Sequence, residues 1–364
     1  MISEDAARAA GDDDTAGGTG RTGGTGGEPG GATARGGTAG TGTARAGVGD
    51  TAHDTADDTG GDTGGDTGGD RAPDAFEANR RYLGSVAYRL LGSFTDAEDV
   101  LQDAWLRWRA ADRTAVHDPR AFLTTVVTRL CYDQLGSARA RREAYYGEWL
   151  PEPSVSYASA PDSPADLAER GESVSLALLT VLEQLTPAER AAFVLHDVFA
   201  VGFDEIATSL DRTPDATRQL ASRARRRVRD GGRRTGADPA EHRQAVEAFA
   251  AATARGDLQA LLEVLDPDVV WHADGGGIVR AAARPVLGAW NVARLVVGLV
   301  TKWSTPDHGF GFAQVNGEPG IVWYEKATGT VGGVVALDVA DGRITQAYVV
   351  VNPEKLGHID PIGV

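Results

Sequence analysis

The chain has 364 residues, 41% of them hydrophobic and 24% charged, with a formal net charge of −16. That length points to two or three domains. No apolar run reaches the length of about eighteen residues that a membrane-spanning helix needs. The single cysteine, Cys131, excludes a disulfide framework and a cysteine zinc cluster. The N-terminus lacks the basic-then-apolar pattern of a secretory signal, so a reduced, cytoplasmic chain without membrane contact, metal or cofactor is expected.

Residues 1–75 hold 22 of the 47 glycines and 13 threonines, and almost no large apolar side chain. Such a tract cannot bury enough surface to offset the entropy of ordering it, so a disordered tail is expected. Charge is distributed unevenly: −9 over 1–75, +2 over 76–143, −4 over 144–171, +1 over 172–236 and −6 over 237–364. Arg218 to Arg234 nevertheless carries eight arginines. One basic stretch on an acidic chain favours directed docking on nucleic acid over general coating.

From Phe76 the pattern turns helical. Thr95 and Glu98 have capping-box spacing, and the helix behind them aligns Val100, Leu101, Ala104, Trp105 and Trp108 on one stripe. Asp96, Asp99 and Asp103 share another face, read as a solvated surface or a docking face for a basic partner, since no histidine lies near to make it a metal site. Asp118 and Pro119 open a second helix that buries Phe122, Val126, Val127 and Leu130 and is expected to end near Gly136. Residues 144–171, acidic and proline-rich, read as an extended linker. Within it Trp149-Leu150-Pro151-Glu152-Pro153 is either a local packing patch or an anchor onto another domain.

Thr186-Pro187-Ala188-Glu189 is a further capping box. A short helix from Phe203 to Leu210, a break at 211–213 and a helix from Pro214 to about Arg229 form a helix-turn-helix pattern. Arg218, Gln219, Ser222 and Arg223 share one face suited to base edges, and Arg225, Arg226, Arg227 and Arg229 would clamp phosphates. Residues 237–364 read as α+β: two helices, Val269-Val270-Trp271, a helix over 285–303, then an antiparallel meander over 309–351 with a tight turn at Asp341-Gly342.

Asp96–Trp105 resembles the core-polymerase-binding helix of the sigma-70 family, Asp133–Arg142 the end of its −10-reading region, and 186–229 its −35-reading helix-turn-helix. With only these two parts, the chain is similar to the extracytoplasmic-function (ECF) group. Trp149–Pro153, Asp274-Gly275-Gly276-Gly277 and Asn352-Pro353-Glu354-Lys355-Leu356 resemble the signatures of the subgroup fused to a SnoaL-like domain. Ile278 and Glu354 depart from the usual pattern, in which a basic residue and an aspartate stand at those places.

The resemblance implies a multidomain sigma factor, not itself an enzyme. Its parts would be a tail (1–75), region 2 (76–143), a linker (144–171), region 4 (172–236) and a cone-shaped SnoaL-like regulatory domain (237–364). Asp96, Asp99, Gln102, Asp103 and Trp105 would bind the β′ clamp helices of RNA polymerase. Asp133, Arg139, Arg141 and Arg142 would hold melted −10 DNA. Arg218, Gln219, Ser222, Arg223, Arg226 and Arg227 would read and grip the −35 element. Trp149, Leu150, Pro151, Asn352, Pro353 and Lys355 would latch the chain's own C-terminal domain. Trp271, His272 and Asp274 fall where groups of a pocket for a small ligand could lie. His272 and Asp274, two apart on a strand, share a face, which admits an acid/base pair. The alternative is therefore a SnoaL-like enzyme or ligand sensor behind a DNA-binding front end.

Overall fold

The structure, a computed structural model, describes residues 71–143, 145–157, 174–231, 238–303 and 305–362. The expected tail up to residue 70, residues 144 and 158–171 of the linker, and residues 172–173 lie outside them.

The first helical module packs α1 (Arg71–Leu91), α2 (Phe94–Ala110) and α3 (Pro119–Glu143) around Leu83, Leu90, Leu101, Leu123 and Val127, all buried. α1 begins five residues before the expected boundary. It ends at Gly92, whose φ of +71° suits only glycine. That abrupt end makes Ser93 the first extended residue, and its hydroxyl accepts the Asp96 N–H at 3.1 Å. Ser93, not Thr95, therefore caps α2, and Glu98 pairs with Arg80 at 2.6 Å instead of closing a capping box. Asp118 caps α3 as expected, accepting the Ala121 N–H at 3.0 Å. α3 does not stop at Gly136 but runs to Glu143. Gly136 sits on an open surface where a single glycine costs about 1 kcal/mol, too little to end a helix packed through Leu135.

The second module contains α4 (Leu176–Leu182), α5 (Pro187–Phe193), α6 (Phe203–Leu210) and α7 (Pro214–Gly231). The Thr186–Glu189 capping box is formed in both directions. Asp211, left-handed at φ 52°, ends α6 and turns the chain into α7.

The third module holds α8 (Pro239–Arg255), α9 (Leu258–Val264), β2 (Leu265–Asp274), β3 (Val286–Leu287), α10 (Ala289–Trp303) and strands β4 (His308–Val315), β5 (Glu318–Glu325), β6 (Val331–Ala340) and β7 (Arg343–Val350). β1 (Val155–Ser156), from the linker, joins the same sheet, whose order is β1-β4-β5-β6-β7-β2-β3. β4 to β7 form the expected meander, but β2 lies parallel to β7, with Trp271 opposite Ala347 and Asp274 opposite Val350. The sheet is mixed, not purely antiparallel. Asp341-Gly342 turns with both φ positive, as a primed hairpin requires, and Asn316-Gly317 does the same between β4 and β5.

Strand alternation gives the sheet two different faces. On the inner face Trp271, Ala273, Leu337, Val339, Ala347 and Val349 pack with Val246, Phe249 and Leu261 of α8 and α9 and Val292 and Val296 of α10. On the outer face Val315, Val322, Val334, Ala336, Tyr348 and Val350 belong to one apolar cluster with Leu150 and residues of both helical modules.

Candidate functional site

The linker is held at Asp274, which is fully buried at the end of β2. One carboxylate oxygen accepts the Tyr145 hydroxyl (2.7 Å) and the Gly276 N–H (3.0 Å); the other accepts the Leu150 N–H (2.9 Å) and the Lys355 ammonium (2.7 Å). Four donors fill the four acceptor positions of a carboxylate. Lys355 also donates to the Leu150 carbonyl. Burial pulls the Lys355 ammonium below its ordinary pKa, against the opposing pull of Asp274. Asn352 donates to the Tyr145 hydroxyl at 2.8 Å. Gly276 is required here, because a Cβ on it would lie 2.4 Å from the Asn352 side chain and its φ is +63°. Trp149 takes two cations, Arg142 and Lys355, each 3.9 Å from its ring centroid. Of the expected latch residues, Trp149, Leu150, Asn352 and Lys355 thus converge. Pro151 is buried beside them and Pro153 accepts from His358 Nε2 (3.0 Å), while Pro353 starts the turn that carries Lys355.

The same linker grips the first module. The Phe94 N–H donates to the Glu152 carboxylate (2.6 Å), the Tyr88 hydroxyl to the Glu152 carbonyl (2.6 Å) and the Glu152 N–H to the Gly92 carbonyl (2.9 Å). Asn316 accepts the Ser154 N–H (3.0 Å) and donates to the Tyr88 hydroxyl (3.0 Å) and the Val174 carbonyl (3.2 Å). One side chain from the sheet therefore touches the first module, the linker and the start of the second module.

The two helical modules also meet directly. Glu183 of the second accepts from Arg142 of the first and from Arg190 (2.5 Å). Arg190, 1% exposed, also reaches the Arg89 carbonyl at 3.3 Å through two of its nitrogens. Arg129 of α3 donates to the Thr208 carbonyl of α6 at 2.9 Å. Arg142 is therefore engaged at this junction, Asp133 is exposed on α3, and the Arg139 and Arg141 side chains lie outside those described.

On α7, Arg218, Gln219, Ser222, Arg223, Arg226 and Arg227 are all exposed. Arg218 pairs with Asp215 (2.6 Å), Arg223 with Glu189 (3.3 Å) and Arg227 with the same Glu189, while Arg225 pairs with Asp197 (2.6 Å). On α2, Asp99, Gln102 and Asp103 are exposed, Asp96 and Trp105 half-buried, and the neighbouring Leu106 is 57% exposed.

Of the expected pocket groups only Trp271 faces the inside. A cavity of about 210 Å³ there is lined by Trp271 with Phe249, Val296 and Trp323. His272 and Asp274 do share a face, but it is the outer one, against the linker. The His272 ring bonds Glu148 (2.6 Å) and Gln346 (2.9 Å) and stacks on Tyr348. Burial opposes its charge, yet Glu148 and Gln346 prevail and hold its pKa above the ordinary value. Burial, reinforced by Glu318, pushes the nearby Asp338 up to about 7. Both folded-state values are raised, so each group's stabilising contribution is complete below its unfolded pKa and is lost as pH rises through the folded one. For Asp338 the loss spans about pH 4 to 7, and for His272 it begins near pH 6.5. The melting temperature of the full chain is expected to fall from pH 5 to pH 8, with Asp338→Asn flattening the lower part of the profile and His272→Gln the upper. A flat wild-type profile would contradict both assignments.

Glu152 lies within the Trp149–Pro153 segment; Tyr145, Glu148, Glu183 and Asn316 were not readable as site residues. The Asn-Gly pair at 316–317 was a usable turn signal, whereas the others carry no local pattern.

The first module matches the model of sigma-70 region 2 over residues 75–141, and the second that of sigma-70 region 4 over 175–228. The ECF RNA polymerase sigma factor SigJ of Mycobacterium tuberculosis is 43% identical over 290 residues, covering 77% of this chain and 91% of that protein. The crystal structure of SigJ matches with a TM-score of 0.63 and 40% identity, over 78% of this chain and 98% of its own. An NTF2-like protein from Burkholderia xenovorans matches over 34% of this chain and 97% of its own, with 20% identity and a TM-score of 0.24. Two sigma-70 regions followed by an α+β domain define a transcription initiation factor, and this chain belongs to the extracytoplasmic-function group of RNA polymerase sigma factors. It acts with core RNA polymerase and promoter DNA in the initiation of transcription. Among the described residues no helix is long and apolar enough to cross a membrane.

Proposed function

We propose that this sigma factor is regulated within its own chain: the SnoaL-like domain, through the linker, keeps regions 2 and 4 together and unfit for a promoter. By their positions the −10 and −35 elements lie about 25 base pairs apart, about 85 Å of B-DNA at roughly 3.4 Å per pair. Two modules of this size in contact have centres only about 25–30 Å apart. The observation that carries the reading is the convergence of Leu150, Lys355 and Tyr145 on Asp274, with Arg142 committed to Glu183.

Once released, Asp96, Asp99, Gln102, Asp103 and Trp105, with exposed Leu106, dock on the β′ clamp helices. Asp133, Arg139, Arg141 and Arg142 hold the unstacked −10 strand, where basic groups beside a rigid helix suit single-stranded DNA. Arg218, Gln219, Ser222 and Arg223 read the −35 duplex, with Arg226 and Arg227 on phosphates. The module limits are 76–143, extended by the start of α1 back to residue 71, then 144–171, 172–236 and 237–364, and the protein works in the cytoplasm, beside its polymerase.

The test is run-off transcription with core RNA polymerase on a promoter library, comparing the full chain with Leu150→Asp. Leu150 is fully buried, so a charge there expels the linker at a cost of several kcal/mol. The expected result is weak or altered initiation by the wild type and stronger initiation by the variant. Equal output overturns the clamp, and no initiation by either overturns the assigned promoter and polymerase contacts.

A further inference from the structure

Glu189 has a task that its capping box does not account for. At the third position of a helix a glutamate or a glutamine closes such a box, and on a solvated face nothing more is asked of it. Here the residue is only 3% exposed. Its Oε2 accepts the Thr186 N–H (3.1 Å) and the Thr186 hydroxyl (2.8 Å), which fixes the carboxylate to the start of α5. The same carboxylate meets two arginines of another helix: Oε1 pairs with Arg223 Nε at 3.3 Å, and Oε2 accepts from Arg227 Nη1. Arg223 and Arg227 are four residues apart, so they share a face of α7. Burial by itself would raise the Glu189 pKa, but the Thr186 bonds and the two guanidinium groups outweigh it and hold the carboxyl below its ordinary value. A charged, buried and anchored carboxylate thus stands behind two side chains that are each half exposed.

We propose that Glu189 is a positioning residue for sequence readout, holding Arg223 on its Nε side so that the two terminal nitrogens are presented together to a guanine. This rests on the assignment of α7 to the −35 duplex. Guanine is read bidentately through O6 and N7, which takes two nitrogens of one planar fork. Arg223 pairs with Glu189 through Nε, and no hydrogen bond occupies its Nη1 or Nη2 among the described residues. A free arginine loses rotamer entropy when it settles on a base, and one already held by a fixed carboxylate loses less. The gain reaches only the complex in which Arg223 meets its guanine, so it is read as discrimination between sequences and not as general affinity. Arg218 has no such support, because its partner Asp215 is itself an exposed side chain of α7.

The test is selection from duplexes randomised over the −35 element, by holoenzyme assembled from core RNA polymerase and the full chain. The chains compared are the wild type, Glu189→Gln, Arg223→Ala, the double variant and Thr186→Ala. Preferences are ratios within one sample, so they do not depend on how much of the chain is open. Glu189→Gln keeps the cap and removes the charge. It is expected to lower the guanine preference at the Arg223 position about two- to tenfold, the range for immobilising one long side chain, and to leave the positions read by Arg218 and Gln219 unchanged. Arg223→Ala abolishes that preference, and adding Glu189→Gln to it lowers nothing further. Thr186→Ala breaks the cap and keeps the charge, so it lowers the melting temperature and retains the preference. Wild-type preferences in Glu189→Gln, with one lost in Arg223→Ala, reduce Glu189 to a cap and overturn the inference while the −35 assignment stands. Equal flattening at every position by Glu189→Gln, or as large a shift by Thr186→Ala, overturns it too, because the whole helix would have moved. No shift in any variant overturns the reading of the duplex by Arg223 and the inference with it.

Discussion

Replacing Asp274 with alanine is expected to free the linker from the sheet. The carboxylate is the common acceptor of four donors from the linker, the glycine turn and the C-terminal segment, and the buried Leu150 N–H and Lys355 ammonium among them have no water to fall back on. Its loss leaves the Lys355 ammonium buried beside apolar groups and the cationic Arg142 region, with the Leu150 carbonyl and the Trp149 ring but no anion as partners. Breaking one side of a buried ion pair costs about 3–5 kcal/mol, more than most single contacts contribute. The chain escapes that cost by letting Lys355 reach water, which requires residues 145–153 to lift. Hydrogen exchange at the Leu150 and Glu152 amides should accelerate sharply, and initiation should rise in the same variant. A double variant, Asp274→Ala with Lys355→Met, removes both charges and should recover part of the stability, since a buried pair is replaceable by apolar groups. Unchanged exchange in the single variant would refute this account of the clamp.

The second large effect is expected from Glu183→Gln, which acts where the helical modules touch. Glu183 neutralises Arg142 from one module and the buried Arg190 from its own. Without the negative charge Arg190 keeps only neutral acceptors, and two guanidinium groups face each other across the gap. A loss of about 3 kcal/mol is expected for an uncompensated buried charge, equivalent to about a hundredfold in the closed-to-open ratio. The freed Arg142 becomes available to single-stranded DNA. Fluorescence anisotropy with a labelled −10 oligonucleotide should show tighter binding by Glu183→Gln than by the wild type, by about tenfold or more. Equal affinity would mean that Arg142 is not withheld from DNA at this junction.

Local chemistry made the helical modules readable. The Asp118-Pro119 start, the Thr186–Glu189 box and the Asp211 turn each rest on residues within four positions of one another. Thr95 misled because the same four-residue logic applies to Ser93, and only the positive φ at Gly92 decides between them. The parallel β2–β7 pairing joins residues about eighty positions apart and leaves no periodic trace. Alternation correctly put His272 and Asp274 on one face. Which face is inner depends on where α8 to α10 fold back, and no short pattern encodes that. Glu183 and Tyr145 look like any solvated glutamate and tyrosine until their distant partners are in place.

Asp274 also bears on how such a protein can be inherited. The acceptors sit on β2, while the donors come from Tyr145 and Leu150 about 125 positions before and Lys355 about eighty after. This α+β domain, transplanted onto a sigma factor without the Trp149–Pro153 segment, would carry a half-satisfied ionic centre on its outer face. A sigma factor that lost the domain would expose Leu150 and Trp149 to water. The linker and the domain are therefore one packing unit divided by a DNA-binding module, and a chain inheriting only one of the two parts would leave buried groups of that part without partners.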